Sequence, residues 1–274
     1  MTTVAEVVAA LERAYPPELA ESWDAVGLVC GDPAEPADRV LFCVDPDEST
    51  VAEAIELGAG LLVAHHPLLL RGVHGVPAST AKGGLVHRLI RAGVALYCAH
   101  TNADSADPGV SDALAEAIGL TVRGPLVGEG PTGSGRIGEL PEPETFEKFV
   151  QRVADALPDT VTGARGAGDP DRLIRTVAVC GGSGDSFLPD VVKAQVDAYV
   201  TADLRHHVAG EHAGSAPGAP ALVDVAHWAS EWPWCRQAAD VVRAAFGSNV
   251  GTHISLRRTD PWTLRAARTG RTSL

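Results

Sequence analysis

The sequence has no Cys-x-x-Cys pair, no apolar run long enough to span a membrane, no repeat of fixed period and no low-complexity tract. Each absence removes a class of protein. The five cysteines, Cys30, Cys43, Cys98, Cys180 and Cys235, are odd in number and far apart, so they read as buried thiols in a reducing compartment. Cationic residues are also scarce: 22 Lys and Arg against 35 Asp and Glu give a formal net charge of −13. That balance disfavours a polyanion-binding surface and sets nucleic acid aside, although a small anionic ligand in a cleft stays compatible with it. Met1 to Leu11 carry Glu6 and no basic flank ahead of an apolar stretch, so no leader and no membrane association are expected, and the expected setting is the cytoplasm. At 274 residues the chain can bury a large core without cross-links, as one α/β domain or as two lobes.

What is present centres on Leu61-Leu62-Val63-Ala64-His65-His66-Pro67. An unbroken apolar run fits a strand covered on both faces, as in a parallel sheet, and sites in such sheets lie beyond the carboxyl ends of the strands. His65 and His66 occupy that end. Neighbours on a regular strand point to opposite faces, so the two rings can converge only where the strand stops.

The same pattern repeats along the chain. Residues 3 to 14 have helical spacing and stop at Pro16-Pro17. A strand follows Trp23-Asp24-Ala25-Val26-Gly27, where Asp24 reads as a turn-former. Val40 to Val44 is a strand, 49 to 58 a helix, and the strand through His65 completes a β-α-β unit. A helix over 83 to 92 leads to a strand, Val94 to Ala99, which ends in His100-Thr101-Asn102-Ala103-Asp104, and a helix spans 109 to 118. Residues 124 to 144, rich in Gly and Pro, read as a linker holding one short strand, Arg136 to Leu140. Beyond it come a helix (144 to 156), a Gly-rich turn (163 to 168), a strand (Leu173 to Cys180), the loop Gly181 to Ser186, and a helix near 187 to 195. Ala198 to Thr201 leads to His206-His207 inside a helix, and Ala221 to Ala226 leads to His227-Trp228-Ala229-Ser230-Glu231. A helix over 232 to 246 takes Pro233 in its first turn, Val250 to Leu256 alternates as an edge strand, and 266 to 274 reads as frayed. The expected class is therefore α/β, two-lobed, with strands alternating with helices. The first lobe is expected over 1–125 and the second over 126–220, with 221–274 returning to the first.

Histidine and carboxylate dominate the strand ends: His65, His66, His100, Asp104, His206, His207, His227 and Glu231. That donor set suits zinc, iron or manganese and argues against an iron–sulfur cluster. The rim of a parallel sheet can gather such ends, which places a metal site at the strand carboxyl ends in the cleft between the lobes. His227 and Glu231, four apart, share a face if they lie on a helix. His100 reads as a residue that orients a ligand, and at most one of His206 and His207 can face a cleft.

Three of these motifs, Ala64-His65-His66-Pro67-Leu68, His100-Thr101-Asn102-Ala103-Asp104 and His227-Trp228-Ala229-Ser230-Glu231, in this order and near these separations, resemble the dinuclear-metal-centre family of GTP cyclohydrolase I type 2 homologues, also called Nif-three-like proteins. The resemblance extends over Trp23 to Leu28, Cys180 to Gly184 and Thr201 to His207, with departures at Ala25, Ala202 and Ala226 that touch no ligand position. It implies two divalent ions per chain held by His65, His66, Asp104, His227 and Glu231, the carboxylates bridging, and a homo-oligomer in the form of a hexameric ring of dimers.

Two such ions would support hydrolysis. The resemblance implies GTP as substrate, with opening of the guanine imidazole ring and release of formate, Glu231 acting at the ions and His100, His206 or His207 moving protons. Arg71, Lys82 and Arg205 follow strand ends and are candidates for the triphosphate, with backbone N–H groups of Gly182-Ser183-Gly184 as further donors. Two other readings remain open: a metal-binding regulatory or scaffold protein without turnover, and a nucleotide phosphoesterase using the same two-metal logic.

Overall fold

The computed structural model describes residues 1–215 and 218–266. Strand β1 (Gly27–Cys30), β2 (Arg39–Cys43), β3 (Leu61–Ala64), β4 (Ala95–Cys98) and the late strand β11 (Gly251–Ile254) form one sheet in the order β1-β4-β3-β2-β11. β2, β3, β4 and β11 run parallel, and β1 closes the edge antiparallel to β4. All four residues of β3 are buried, because it is central and helices cover both faces. Leu61, Leu62 and Val63 each bring roughly 1.5–3 kcal/mol of transfer free energy to that position. Their apolar run has a structural cause: no residue of a central parallel strand faces water.

Between these strands the chain makes the helices that the sheet requires. Helix α1 (Val4–Ala14) opens on a capping box in which Thr3 and Glu6 satisfy each other's backbone N–H groups. Helices α2 (Glu48–Leu57) and α3 (Ala81–Arg91) pack on the outer face of the first sheet, around Leu41, Val51, Leu62, Val86 and Leu96. Short α4 (Thr101–Ser105) and α5 (Val110–Ala117) carry the chain to the second sheet.

That second sheet joins β5 (Thr121–Val127), β6 (Ser134–Thr145), β7 (Ala164–Ala167), β8 (Leu173–Ser183), β9 (Ala198–Ala202) and β10 (Ala221–Val225) in the order β5-β6-β8-β9-β10-β7. β8, β9 and β10 are parallel and form its centre. Helix α6 (Phe146–Ala156) packs on its inner face, while α7 (Leu188–Ala194) and α8 (His206–Ala213) cover the outer one. Helix α9 (His227–Phe246) runs between the sheets, touching β2 and β11 on one side and β8 and β9 on the other. The α/β alternation over two sheets agrees with the sequence reading.

Four local expectations change. Residues 124–144 are not a linker: they contribute β5, β6 and the turn between them. Pro125 is tolerated because β5 is an edge strand, and Pro141 and Pro143 sit where the β6 ladder to β8 is interrupted between Glu139 and Glu144. The Gly-rich segment 163–168 holds edge strand β7, paired antiparallel to β10. The second sheet runs from Thr121 to Val225, wider than 126–220. Helix α9 starts at His227, so Pro233 lies inside it and not in its first turn. Of the stretch expected to fray, 267–274 lies outside the described residues.

Candidate metal centre

The carboxyl ends of the parallel strands of both sheets face each other, and β2, β3, β4, β9 and β10 each lead to a polar side chain in the gap. The β2–β3 ladder continues one step past β3: His65 N–H donates to Cys43 O (3.1 Å) and His66 N–H to Val44 O (2.9 Å). The two rings nevertheless come together, with centroids 5.1 Å apart, because the chain leaves the strand here. After β4, the His100 N–H donates to Asn102 Oδ1 (2.9 Å) and Asn102 Nδ2 donates to Tyr15 O (2.8 Å). These bonds fix the turn into α4. One helical turn then brings Asp104, whose N–H donates to His100 O (3.0 Å), under the His65 ring. From the other sheet, β10 hands over to α9, and the four-residue spacing puts His227 and Glu231 on one helical face.

The side chains converge on Glu231. Its Oε1 lies 3.0 Å from His227 Nε2 and 3.5 Å from His65 Nε2, and its Oε2 lies 3.1 Å from His66 Nε2. Asp104 Oδ1 is 3.7 Å from His65 Nε2. Two overlapping groups have ligand atoms within 4.8 Å of one another: His65, His66 and His100, and His66, His227 and Glu231. The structure thus gathers His65, His66, Asp104, His227 and Glu231, and it places His100 among the ligand-distance groups as well as beside them.

Every one of the four rings is oriented through Nδ1. His65 Nδ1 meets Ala99 O (2.9 Å), His66 Nδ1 meets Asp45 Oδ1 (2.7 Å), His100 Nδ1 meets Asp24 Oδ1 (2.9 Å) and His227 Nδ1 meets Asp203 Oδ2 (2.7 Å). Carbonyl and carboxylate oxygens only accept, so each Nδ1 carries a proton, and each ring, when neutral, presents an Nε2 lone pair to the centre. His66 Nε2 and His227 Nε2 are 3.2 Å apart, a contact between two acceptors unless something positive lies between them. His65 Nε2, Asp104 Oδ1 and Glu231 Oε2 are buried with no hydrogen-bond partner among the described residues. Orphaned atoms of this kind are what a divalent ion satisfies.

Electrostatics agree. Burial would raise the Glu231 carboxyl, yet the charges of His66, His227 and His65 hold it well below the usual range. Burial pulls His227 down, and Glu231 and Asp203 overcome it to give about 10. Asp104 goes the other way: burial lifts it to about 6 against the pull of His65. Burial and the neighbouring charge of His65 lower His100 to about 4. The carboxylates therefore draw positive charge to the Nε2 atoms, supplied by protons or by a cation.

The backbone opposite is shaped for this cluster. Gly182 has φ +69°, and a Cβ there would lie inside 3.0 Å of Glu231 Oε1 and 3.1 Å from His227 Nε2. Its N–H donates to Ser230 Oγ (2.8 Å), and the Gly181 N–H points to Ser111 Oγ (3.3 Å). Of the donors expected to cradle a phosphate, the Gly182 N–H is engaged inside the chain; Gly184 accepts at its carbonyl from Tyr199 Oη (2.9 Å). Ser183 stays exposed in the wall of the cavity.

Other expected site residues lie elsewhere. His206 and His207 are exposed at the start of α8, edge-to-face with ring centroids 5.2 Å apart and outside the walls of both cavities at the centre, because α8 sits on the outer face of the second sheet. Arg71, in the loop before α3, and Lys82, in its first turn, are exposed and line neither cavity, and Arg205 is tied to Asp185 (2.6 Å). Asp24 is more than a turn-former, since it orients His100 and accepts from the Thr101 N–H (3.0 Å). Asp45 and Asp203, which orient His66 and His227, lie just past the ends of β2 and β9. Position past a strand end, applied to Asp as well as His, would have found both.

A family model described as Duf34/NIF3 (NGG1p interacting factor 3) matches residues 2–261. The chain belongs to the Duf34/NIF3 family. Among its relatives, the GTP cyclohydrolase 1 type 2 homolog of Streptomyces coelicolor is 52% identical over 275 residues, covering 97% of this chain and 96% of that one. The protein of the same name from Mycobacterium tuberculosis is 41% identical over 370 aligned positions, covering 95% and 97%. Among solved structures, a Bacillus cereus protein related to NIF3 superposes with a TM-score of 0.85 at 26% identity, covering 96% of this chain and 99% of that one. A Staphylococcus aureus hypothetical protein, SA1388, gives a TM-score of 0.88 at 25% identity with the same coverage. The NIF3 fold is thus common to the whole length of the chain, including the two sheets that bring the cluster together.

Proposed function

We propose that this NIF3-family chain is a hydrolase dependent on two divalent ions, held by His65, His66, His100, Asp104, His227 and Glu231. The observation that carries the reading is the convergence of three unpartnered buried atoms, His65 Nε2, Asp104 Oδ1 and Glu231 Oε2, with the facing His66 and His227 nitrogens. Ions bound there would acidify water and polarise the bond it attacks. The chain's own residues do the rest. Asp24, Asp45 and Asp203 keep the ring tautomers fixed, and Gly182 brings the backbone close enough to exclude bulk water from Glu231. His100, lowered by burial to about 4, is neutral near pH 7 and keeps its Nε2 as an acceptor.

A cavity of roughly 520 Å³ leads to the cluster past Trp23, Phe187 and the Gly181–Ser183 backbone. It is large enough for a planar heterocycle, with an indole at its mouth. The relatives' name points to GTP as the first substrate to try. By the same resemblance the protomers form a hexameric ring. The phosphoesterase reading gains nothing from the walls, where Arg165 is the one Lys or Arg side chain among the described residues of the two cavities. The test is incubation of metal-replete protein with GTP and a panel of nucleotides, following formate, phosphate and ring-opened product, with Glu231→Ala as control. Formate release lost in the variant supports the cyclohydrolase reading; no product of any kind from protein holding two ions favours a metal-binding scaffold.

A further inference from the structure

A second cavity, of roughly 640 Å³, opens on the opposite side of His66 and His227, between the two sheets and the C-terminal segment that follows β11. Its wall carries four carboxylates, Asp45, Asp203, Asp224 and Asp260, against one guanidinium, Arg165, which Asp224 already holds. Three of the four are engaged: Asp45 by His66 and Thr259, Asp203 by His227, and Asp224 by Arg165 and the Leu204 N–H. Asp260 is different. It is 6% exposed, and its Oδ2 has no hydrogen-bond partner among the described residues. Two indoles complete the wall, buried Trp228 and Trp262, which is 65% exposed.

A buried carboxylate oxygen without a partner is costly, and it is relieved by a donor or a positive charge from outside the chain. Burial raises the Asp260 carboxyl, Arg258 and the Trp262 N–H oppose it, and the charges of Asp45 and Asp203 raise it again. A metal ion is not the match. Among the described residues, the groups of ligand atoms close enough to share an ion are the two at the histidines, and these four carboxylates form none. An anion is excluded by the same carboxylates. What fits spread negative charge beside aromatic faces is an extended organic cation, which meets carboxylates edge-on and indoles by cation–π contact.

We propose that this recess binds a small organic cation, a protonated amine or a guanidinium, borne by a molecule whose other end reaches His66 and His227. The site rests on the hydrolase reading only for that far end. The substrate class it selects is an amine-bearing molecule, and the polyanionic tail of a nucleoside triphosphate is turned away from this side of the centre.

The experiment follows tryptophan emission of the metal-loaded full-length protein during titration with n-butylammonium, butan-1-ol, butyrate or inorganic triphosphate. The expected result is a saturable change with n-butylammonium, at least ten-fold tighter than with butan-1-ol, absent with the two anions and lost in Trp262→Phe. Asp260→Asn is expected to weaken n-butylammonium by about ten-fold, the size of one charge-assisted contact. Arg165→Gln, at an exposed side chain, keeps the proposal falsifiable if the buried variant does not fold: removing the competing cation tightens n-butylammonium by about two- to five-fold. Equal binding of butyrate or triphosphate, no saturable change with any probe, or an unmoved affinity in the folded variants would overturn the proposal. Metal content measured on the same samples separates the two readings. Protein that binds n-butylammonium but holds no ions refutes the hydrolase and leaves the recess; ions without cation binding do the reverse.

Discussion

Replacing Gly182 with alanine tests the close approach of β8 to the cluster. The added methyl lies inside 3.0 Å of Glu231 Oε1 and 3.1 Å from His227 Nε2. Glu231 is buried among three imidazoles and cannot swing aside without leaving them. The left-handed backbone costs an L-residue about 1–2 kcal/mol. Forcing a methyl into packed surroundings costs about 1–3 kcal/mol more. The metal-free variant should therefore lose about 2–5 kcal/mol by urea unfolding if Glu231 holds its place. If the carboxylate yields instead, only the backbone cost of about 1–2 kcal/mol remains and metal affinity falls by about 10–100-fold, read by competition with a chromophoric chelator. Gly210→Ala is the control: its Cβ meets nothing within 4 Å in the interior of α8, and it should gain about 0.5–1 kcal/mol with unchanged metal affinity. A Gly182→Ala protein with unaltered stability and unaltered metal affinity would refute the packing argument.

Asp24→Asn keeps the shape of the turn but removes the anion that fixes the His100 proton on Nδ1. Metal affinity should drop by about 10–100-fold with little change in the unfolding midpoint. Arg136 is buried, paired with Asp112 at 2.8 Å, and donates to the carbonyls of Ala106, Gly133 and Gly135, tying the β5–β6 turn to the segment after Asp104. Arg136→Ala should cost about 3–5 kcal/mol in denaturant unfolding, because it leaves a part-buried carboxylate unpaired. The pH dependence of the metal-free protein has a definite sign. His227 is raised from 6.5 to about 10, so its stabilising charge is fully present below pH 6.5 and is lost as pH rises through about 10. Metal-free protein should lose stability over that window; metal-loaded protein, whose Nε2 is not open to a proton, should lack the slope in the same thermal scans.

Much of this was legible in the chain. Leu61 to His66 states its own structure: a run with no polar alternation needs cover on both faces, and polar residues directly after it mark the strand end. The same logic carried Val94 to Asp104 and Ala221 to Glu231. It failed where local composition and tertiary role diverge. Gly and Pro over 124–144 mark loops in general, but Pro125 needs no N–H on an edge strand, and a Cβ at position 138 would lie 3.0 Å from Leu120 Cβ, so Gly138 spares that contact. His206 and His207 resemble the other pairs in sequence, yet the side of the sheet on which α8 packs decides against them, and residue type says nothing of that. Asp45 and Asp203 bind nothing by themselves, so a search for ligands passes over the groups that orient them. The engaged Gly182 N–H depends on Ser230, 48 residues later, and only the packing of α9 against β8 brings the two together.

The central claim is that six side chains from two sheets hold two divalent ions. Equilibrium dialysis of the purified protein against zinc, manganese or iron(II), with elemental analysis of ions per chain and Glu231→Gln alongside, tests it most directly. The account predicts two ions per chain in the parent protein and the loss of at least one in the folded variant. Fewer than two ions in the parent with every metal, or full occupancy in Glu231→Gln, would contradict it.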